Sequence, residues 1–476
     1  MSSTSLRDPI NQSIPFYRDV RIIAVIAQIV FVIVVGLVGW FLVNNMLNGL
    51  RASSIPLGWD FLNLEAGFAI SEGPVFEPTD TYQRAFFVGV INTLRIAVSG
   101  IILATILGIV TGIARLSNNW LLRNLAGGYI EIIRNTPLLV QLFIWYFAVI
   151  LKLPDLQDGL SIPGVALLSK RGVALTWPFA SVTGQTLVYW VLGGLILGAI
   201  LNYLRKRRLE QEGLVGSGLT WAVPGFLAVI VVGYVLSATT ATLPDNITYE
   251  LRRGDRGTLF VDEDSDGKYR NGVDTPMGYV QVTLLAEDGS ELATIRTDSE
   301  GDFRFYDLEV EGTAISFEAP PPVIISQPRQ EGFAYTGGQQ LTPEFAALLL
   351  GLVVYTAAFI AEIVRAGINA VSKGQWEAAR ALGLSNTETL RMIVLPQALR
   401  VIIPPLTSQY LNLTKNSSLA IAVGYPDLFN VSRTVFNQSG AAVQMFVLIM
   451  ATYLTLSLLT SGFMNWYNAR VALVER

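Results

Sequence analysis

Long apolar runs separated by shorter polar connections dominate this chain. A bilayer core takes roughly 20 apolar residues in helical form. Eight segments reach that length, at about 22–46, 86–114, 127–151, 185–204, 219–240, 345–371, 398–424 and 442–466. They predict eight membrane-spanning helices. The seventh differs from the rest, because it carries Pro404, Pro405, Asn412, Lys415 and Asn416. Such a segment is expected to be broken, or to line a polar cavity rather than face lipid. The apolar run after Met1–Arg21 is too long for a signal-peptide core and reads as a retained span.

Between the fifth and sixth spans the pattern changes to period two. Val280, Val282 and Leu284 alternate, Asp288-Gly289 marks a turn, Leu292 and Ile295 fall in a return strand, and Phe303 and Phe305 alternate after Gly301. This predicts a small β domain over 245–331, ending at Pro320-Pro321-Pro322. It holds 19 acidic and 8 basic residues, so about half of the chain's 37 acids lie in it. Its Thr297-Asp298, Gly301, Phe303 and Phe305 resemble the B-type β-sandwich repeat of cell-surface proteins. Inside it, Asp262, Asp264 and Asp266 stand at positions 1, 3 and 5 ahead of Gly267, as in the first half of a calcium loop. The second half departs from that pattern: position 12 is Val273, and the next acid, Asp274, comes one place late. Calcium on Asp262, Asp264, Asp266 and Asp274 is one reading; an acidic turn exposed to solvent is the other.

Charge orients the spans. Arg205-Lys206-Arg207-Arg208 follows the fourth, Arg115 and Arg123 the second, and Lys373, Arg380 and Arg391 the sixth. With eight spans these loops share one side, which the distribution of Lys and Arg assigns to the cytoplasm. Both termini then lie inside, and the β domain lies outside, in the periplasm. Composition agrees with a membrane protein: 51% of 476 residues are hydrophobic and 15% charged, and mean hydropathy is +0.47. A net charge of -4 excludes a nucleic-acid binder. The absence of Cys and His removes thiol and imidazole chemistry and the usual zinc ligands.

The loop after the sixth span carries the most specific pattern. Gly374-Gln375-Trp376-Glu377-Ala378-Ala379-Arg380-Ala381-Leu382 predicts a helix of two to three turns, stopped at Gly383 by a left-handed cap. Ser385 and Glu388 stand at capping-box spacing and open a second helix that runs to Pro396. Small Ala side chains let a partner approach the backbone closely, and Glu377 and Arg380 can fix its register.

Glu377-Ala378-Ala379, Gly383, Ile393, Leu395 and Pro396 resemble the EAA loop of ABC importer permeases, a coupling helix that sits in a cleft of the ATPase subunit. Glu131–Gln141, Asn92-Thr93-Leu94, Ala361–Arg365 and Lys415–Leu419 are similar to the polar amino-acid branch of that family. The stretch Trp59–Phe86 narrows the resemblance to the longer permeases of general L-amino-acid importers.

The resemblance implies an all-α polytopic membrane protein of about eight transmembrane helices with a five-span ABC importer core, plus the inserted periplasmic β-sandwich. The implied layout is 1–46 as cytoplasmic N-terminus and first span, 47–85 as an outer loop, and 86–152 as the first part of the core. Then follow 153–244 as an added two-span segment, 245–331 as the insert, and 332–476 as the second part of the core with its coupling loop at 374–396.

The implied function is import of polar or acidic L-amino acids across the inner membrane. Coupling residues would be Glu377, Ala378, Ala379, Gly383, Leu395 and Pro396, and substrate-route residues Glu362, Asn412, Lys415, Ser417 and Ser418. No phosphate-binding Gly-x-x-x-x-Gly-Lys-Ser/Thr loop occurs. The chain is therefore expected to have no catalytic site or cofactor of its own, and ATP would be used by a separate ATPase dimer. Other expected partners are a second permease subunit, favoured as a paralogue, and a periplasmic amino-acid binding protein. Two rival readings remain: an ion-driven secondary transporter, and a membrane-anchored surface protein displaying the B-repeat-like domain.

Overall fold

The computed structural model describes residues 20–52, 58–184, 186–212, 218–240, 243–244, 246–253, 255–270, 274–286, 288–298, 301–305, 313–331 and 334–471. The polar N-terminal stretch, the last five residues and Val273 lie outside the described residues. The helices are α1 (Val20–Ala52), α2 (Tyr82–Arg115), α3 (Trp120–Asn135), α4 (Leu138–Phe143), α5 (Leu187–Gln211), α6 (Leu219–Thr239), α7 (Pro343–Asn369), α8 (Lys373–Ala381), α9 (Asn386–Thr389), α10 (Leu395–Asn416), α11 (Leu428–Ser439) and α12 (Ala442–Val471). Among the described residues seven helices are long and apolar enough to cross a membrane, or eight if one bent pair counts as a span.

That pair is the segment expected to be the third span. α3 and the run Leu138–Lys152 meet at a 107° bend. Pro137 cannot donate a backbone hydrogen bond, so the helix stops at Asn135. Gln141, buried, donates through Nε2 to the carbonyls of Ile133 and Thr136, both at 2.9 Å, which satisfies oxygens left open by the break. In the seventh segment the helix changes form at Ser417, not at the prolines. α10 continues through Pro404 and Pro405 and tightens to a 3-10 turn only at Ser417–Ala422. The second helix of the loop before it does not end at Pro396. A π-turn over Leu390–Val394 carries it into α10, where Pro396 occupies the first turn and its missing N–H has no partner to lose.

The chain divides into two compact units, one of 1–132 and 356–476, the other of 133–355. In the first, α2 presents small residues along one face. A Cβ on Gly108 would stand 2.6 Å from the Ile360 side chain, and one on Gly112 would stand 2.8 Å from the Ala361 carbonyl. Their absence lets helix backbones approach, which is how helices pack where lipid removes the hydrophobic drive. The loop ahead of α2 buries Phe61, Ala66 and Phe76 with Tyr82, Phe86, Leu428, Val431 and Met445. Polar bonds fix this loop. Asn92 Nδ2 donates to the carbonyls of Glu72 and Pro426, both at 2.9 Å, and Arg95 pairs with Glu72 at 2.9 Å. Thr93 Oγ1 accepts from Leu428 N at 2.9 Å.

The second unit contains the β structure. Ile247–Arg253, Arg256–Val261 and Asp302–Arg304 form one antiparallel sheet, with Thr275–Pro276 on Arg256–Val261. Gln281–Leu285, Glu291–Arg296 and Ala314–Glu318 form another. Leu259, Met277, Val280, Val282, Leu284, Phe303 and Phe305 make their shared core. The expected alternation holds for Val280, Val282, Leu284, Phe303 and Phe305, whereas Leu292 is exposed and Ala293 and Ile295 face the core. β structure also extends beyond 245–331. Trp177–Ala180 pairs with Val323–Ser326, and Gln339–Leu341 joins a sheet with Leu160–Ile162, Ala166–Ser169 and Gly172–Leu175. The proline run is docked: Ser181 and Thr183 hydroxyls donate to the carbonyls of Pro321 and Pro320, each at 2.7 Å.

Candidate functional site

The loop between α7 and α10 is a compact knob built on a buried base. Val371, Val394, Ala398 and Ile402 cluster there with Trp376 packed against them. α8 ends in a Schellman motif. Leu384 N donates to Ala379 O at 3.1 Å and Gly383 N to Arg380 O at 2.9 Å, with Gly383 at φ +79°. The chain restarts at once through a complete capping box. Glu388 N donates to Ser385 Oγ at 3.3 Å, and Ser385 N donates to Glu388 Oε2 at 2.9 Å. These two caps set the angle between α8 and the following turn without large side chains.

The knob's outer surface is mixed. Glu377, Ala378 and Arg380 are exposed, while Ala379 is buried. Leu395 is exposed and Pro396 half-buried. Sequence reasoning missed two residues here: Leu382 is 81% and Met392 62% exposed. Leu382 lies outside the candidate spans, where a large exposed apolar side chain suits a protein partner; Met392 lies in the segment Asn386–Ala422, long and apolar enough to enter a membrane. The available signal for Leu382 was its position, next to the Gly383 cap that the sequence already marked.

Of the five substrate-route residues, Glu362 lies on α7, and Asn412, Lys415, Ser417 and Ser418 lie on α10 and the 3-10 turn that follows it. Glu362 on α7 is held by Arg365, with Oε2 to Nε at 3.0 Å and Oε1 to Nη2 at 2.5 Å, an i,i+3 pair that balances its charge within the helix. The hydroxyls of Ser417 and Ser418 donate to the carbonyls of Thr414 at 2.7 Å and Lys415 at 2.8 Å, which shapes the 3-10 turn. Asn412 and Lys415 are exposed, and so are Val401, Pro404, Pro405 and Ser408. Apart from the adjacent prolines, these six fall three or four residues apart and form one face of α10. Ser408 was the unrecognised member. Ser408, Asn412 and Lys415 thus place three polar side chains on one exposed stripe, where such groups are costly against lipid.

In the β domain, one carboxylate oxygen each from Asp262, Asp264 and Asp274 lie within 4.8 Å of one another. Asp266 falls outside that group. Arg270 pairs with Asp264 at 3.0 Å and with Asp266, so the loop is bridged by a cation from the chain itself. Asp274, buried, accepts from Glu263 N at 3.2 Å and Arg270 N at 2.6 Å. Partial desolvation and the neighbouring Asp266 charge raise the Asp264 carboxyl above the usual range, against the opposing pull of Arg270. The donors are hard oxygens of the kind calcium takes, but Asp262 also accepts from Asp266 N and Gly267 N as an ordinary turn does.

Residues 194–473 match the family of binding-protein-dependent transport system inner membrane components. This chain belongs to that family. Relatives align over nearly the whole length. The putative amino-acid ABC transporter permease protein YhdX of Escherichia coli K12 is 39% identical over 96% of this chain and 94% of its own. The general L-amino acid transport system permease protein AapQ of Rhizobium johnstonii is 36% identical over 99% and 95%. The glutamate/glutamine/aspartate/asparagine transport system permease protein BztB of Rhodobacter capsulatus is 34% identical over 96% and 96%.

Proposed function

We propose that this chain is the permease subunit of an ABC importer that moves polar or acidic L-amino acids across the inner membrane. Energy comes from a separate ATPase dimer that docks on the knob at 374–396. A second permease, a paralogue, faces the polar stripe of α10, and a periplasmic binding protein delivers substrate. The termini and the knob lie in the cytoplasm, and the β domain lies in the periplasm. In this reading Glu377, Ala378, Gly383 and Leu382 form the docking surface, while Ala379, Leu395 and Pro396 join it to the spans. Asn412 and Lys415 line the route, with Lys415 meeting a substrate carboxylate.

The observation that carries the reading is the α8 knob. A short Ala-rich helix, closed at Gly383 and followed at once by a capping box, sits beside a buried base and displays exposed charges and apolar side chains between two membrane helices. Neither a secondary transporter nor an adhesive protein needs such a surface. Co-purification in detergent tests it: wild-type chain should retain an ATPase subunit and Ala378→Trp should not, at equal membrane abundance. Retention by Ala378→Trp with undiminished transport would remove the docking role.

A further inference from the structure

The basic run Arg205-Lys206-Arg207-Arg208 closes α5 in a setting that internal charge balance does not explain. Arg208 meets Glu212 at 2.9 Å, four residues on. Among the described residues Arg205, Lys206 and Arg207 have no such carboxylate partner. Arg205 instead lies over the Trp221 ring of α6, its Cζ 5.0 Å from the ring centre. Its Nε is buried and has no hydrogen-bond acceptor. A guanidinium stacked on an indole keeps its N–H groups in a fixed plane, pre-set for a planar or tetrahedral oxyanion.

The helix pair holds this arrangement firmly. A Cβ on Gly218 would come within 2.1 Å of Asn202 Oδ1, and one on Gly225 within 2.3 Å of Leu201 Cδ1. The contact at Asn202 is one turn before Arg205, so Arg205 and Trp221 are placed by close backbone packing. The surroundings point to the occupant. Tyr203 is 63% and Trp221 39% exposed, beside exposed Leu204 and Leu219. The most apolar stretches of α5 and α6 are each only 11% buried within the chain. Aromatic and aliphatic side chains directly below a cation cluster match the headgroup–acyl boundary of a bilayer.

We propose that this end of the α5–α6 pair binds the phosphate of an anionic phospholipid. Arg205 donates to the phosphate, Lys206 and Arg207 supply the surrounding positive field, and Trp221 and Leu204 pack on the glycerol and upper acyl chain. The site goes beyond transport coupling, and its test does not read transport.

The full-length protein is reconstituted into phosphatidylcholine vesicles in which either phosphatidylglycerol or phosphatidylcholine carries bromine on its acyl chains. Quenching of Trp221 is isolated as the difference between wild type and Trp221→Phe. Brominated phosphatidylglycerol should be enriched at Trp221 over brominated phosphatidylcholine by about fivefold for each cation engaged. Arg205→Gln should lower that preference about fivefold, and Lys206→Gln, an exposed change that leaves the stack intact, should lower it as well. Inorganic phosphate, compared with chloride at matched ionic strength, should not displace the lipid. Equal quenching by the two lipids in wild type, or an unchanged preference in both variants, would overturn the proposal. Loss of the preference on adding phosphate would also overturn it, by assigning the site to a free anion.

Discussion

Gly383 tests the coupling knob most directly, because its replacement separates strain from bulk. At φ +79° a Cβ added there meets no atom within 4 Å. Substitution thus creates no internal clash, and its cost is conformational. An ordinary L residue in the left-handed region costs about 1–2 kcal/mol, and Asn visits that region more readily than Ala or Val. If the chain abandons the turn instead, it loses the bonds from Leu384 N to Ala379 O and from Gly383 N to Arg380 O, at about 1 kcal/mol each. Either route biases the knob away from its docking geometry by ~1–2 kcal/mol, a factor of roughly 5–30. The assay is uptake and substrate-stimulated ATP hydrolysis of the reconstituted transporter for Gly383→Asn, Gly383→Ala and Gly383→Val, normalised to inserted protein. Activity should fall in that order, with Val roughly 5–30-fold below wild type. Normal activity in Gly383→Val would refute the coupling role. A larger loss with Asn than with Ala would refute the strain argument and make bulk at the partner surface the cause.

Gln141→Leu keeps the volume but strands the carbonyls of Ile133 and Thr136, so thermal unfolding in detergent should show a loss of about 2 kcal/mol, two net hydrogen bonds; an unchanged midpoint would mean the bend holds itself. Lys415→Met should raise the KM for acidic amino acids more than for neutral ones, whereas Glu362→Gln, which breaks the pair with Arg365, should lower abundance without altering that ratio; an unchanged substrate profile in Lys415→Met would exclude it from the route. If calcium binds Asp262, Asp264 and Asp274, a hundredfold excess over Kd should protect the β domain of the full-length protein from proteolysis by about 2.7 kcal/mol, and Asp262→Asn should abolish the effect. Because the folded pKa of Asp264 is raised, protons compete for the same oxygens. Calcium protection should therefore weaken as pH falls through that raised value, and identical cleavage with calcium and chelator would leave a turn bridged by Arg270 alone.

Local chemistry made much of this protein legible in its sequence. Span length follows from apolar runs, the knob's two caps from Gly383 and Ser385–Glu388, and the β core from alternating Val280, Val282, Leu284, Phe303 and Phe305. Each depends on residues a few positions apart, so one-dimensional spacing is enough. Tertiary structure decided what depends on distant partners. Pro137 signals a break, but only the fold places Gln141 on the freed carbonyls. Pro404 and Pro405 marked the seventh segment as irregular, but only the structure shows that α10 runs through both and changes to a 3-10 turn at Ser417. Ala378 and Ala379 are the same residue side by side, and only the folded loop buries Ala379 while leaving Ala378 exposed. The strands at 177–180 and 339–341 find partners more than a hundred residues away. Spacing along the chain carries no record of such meetings, because they are selected by burial and hydrogen bonding summed over the folded unit.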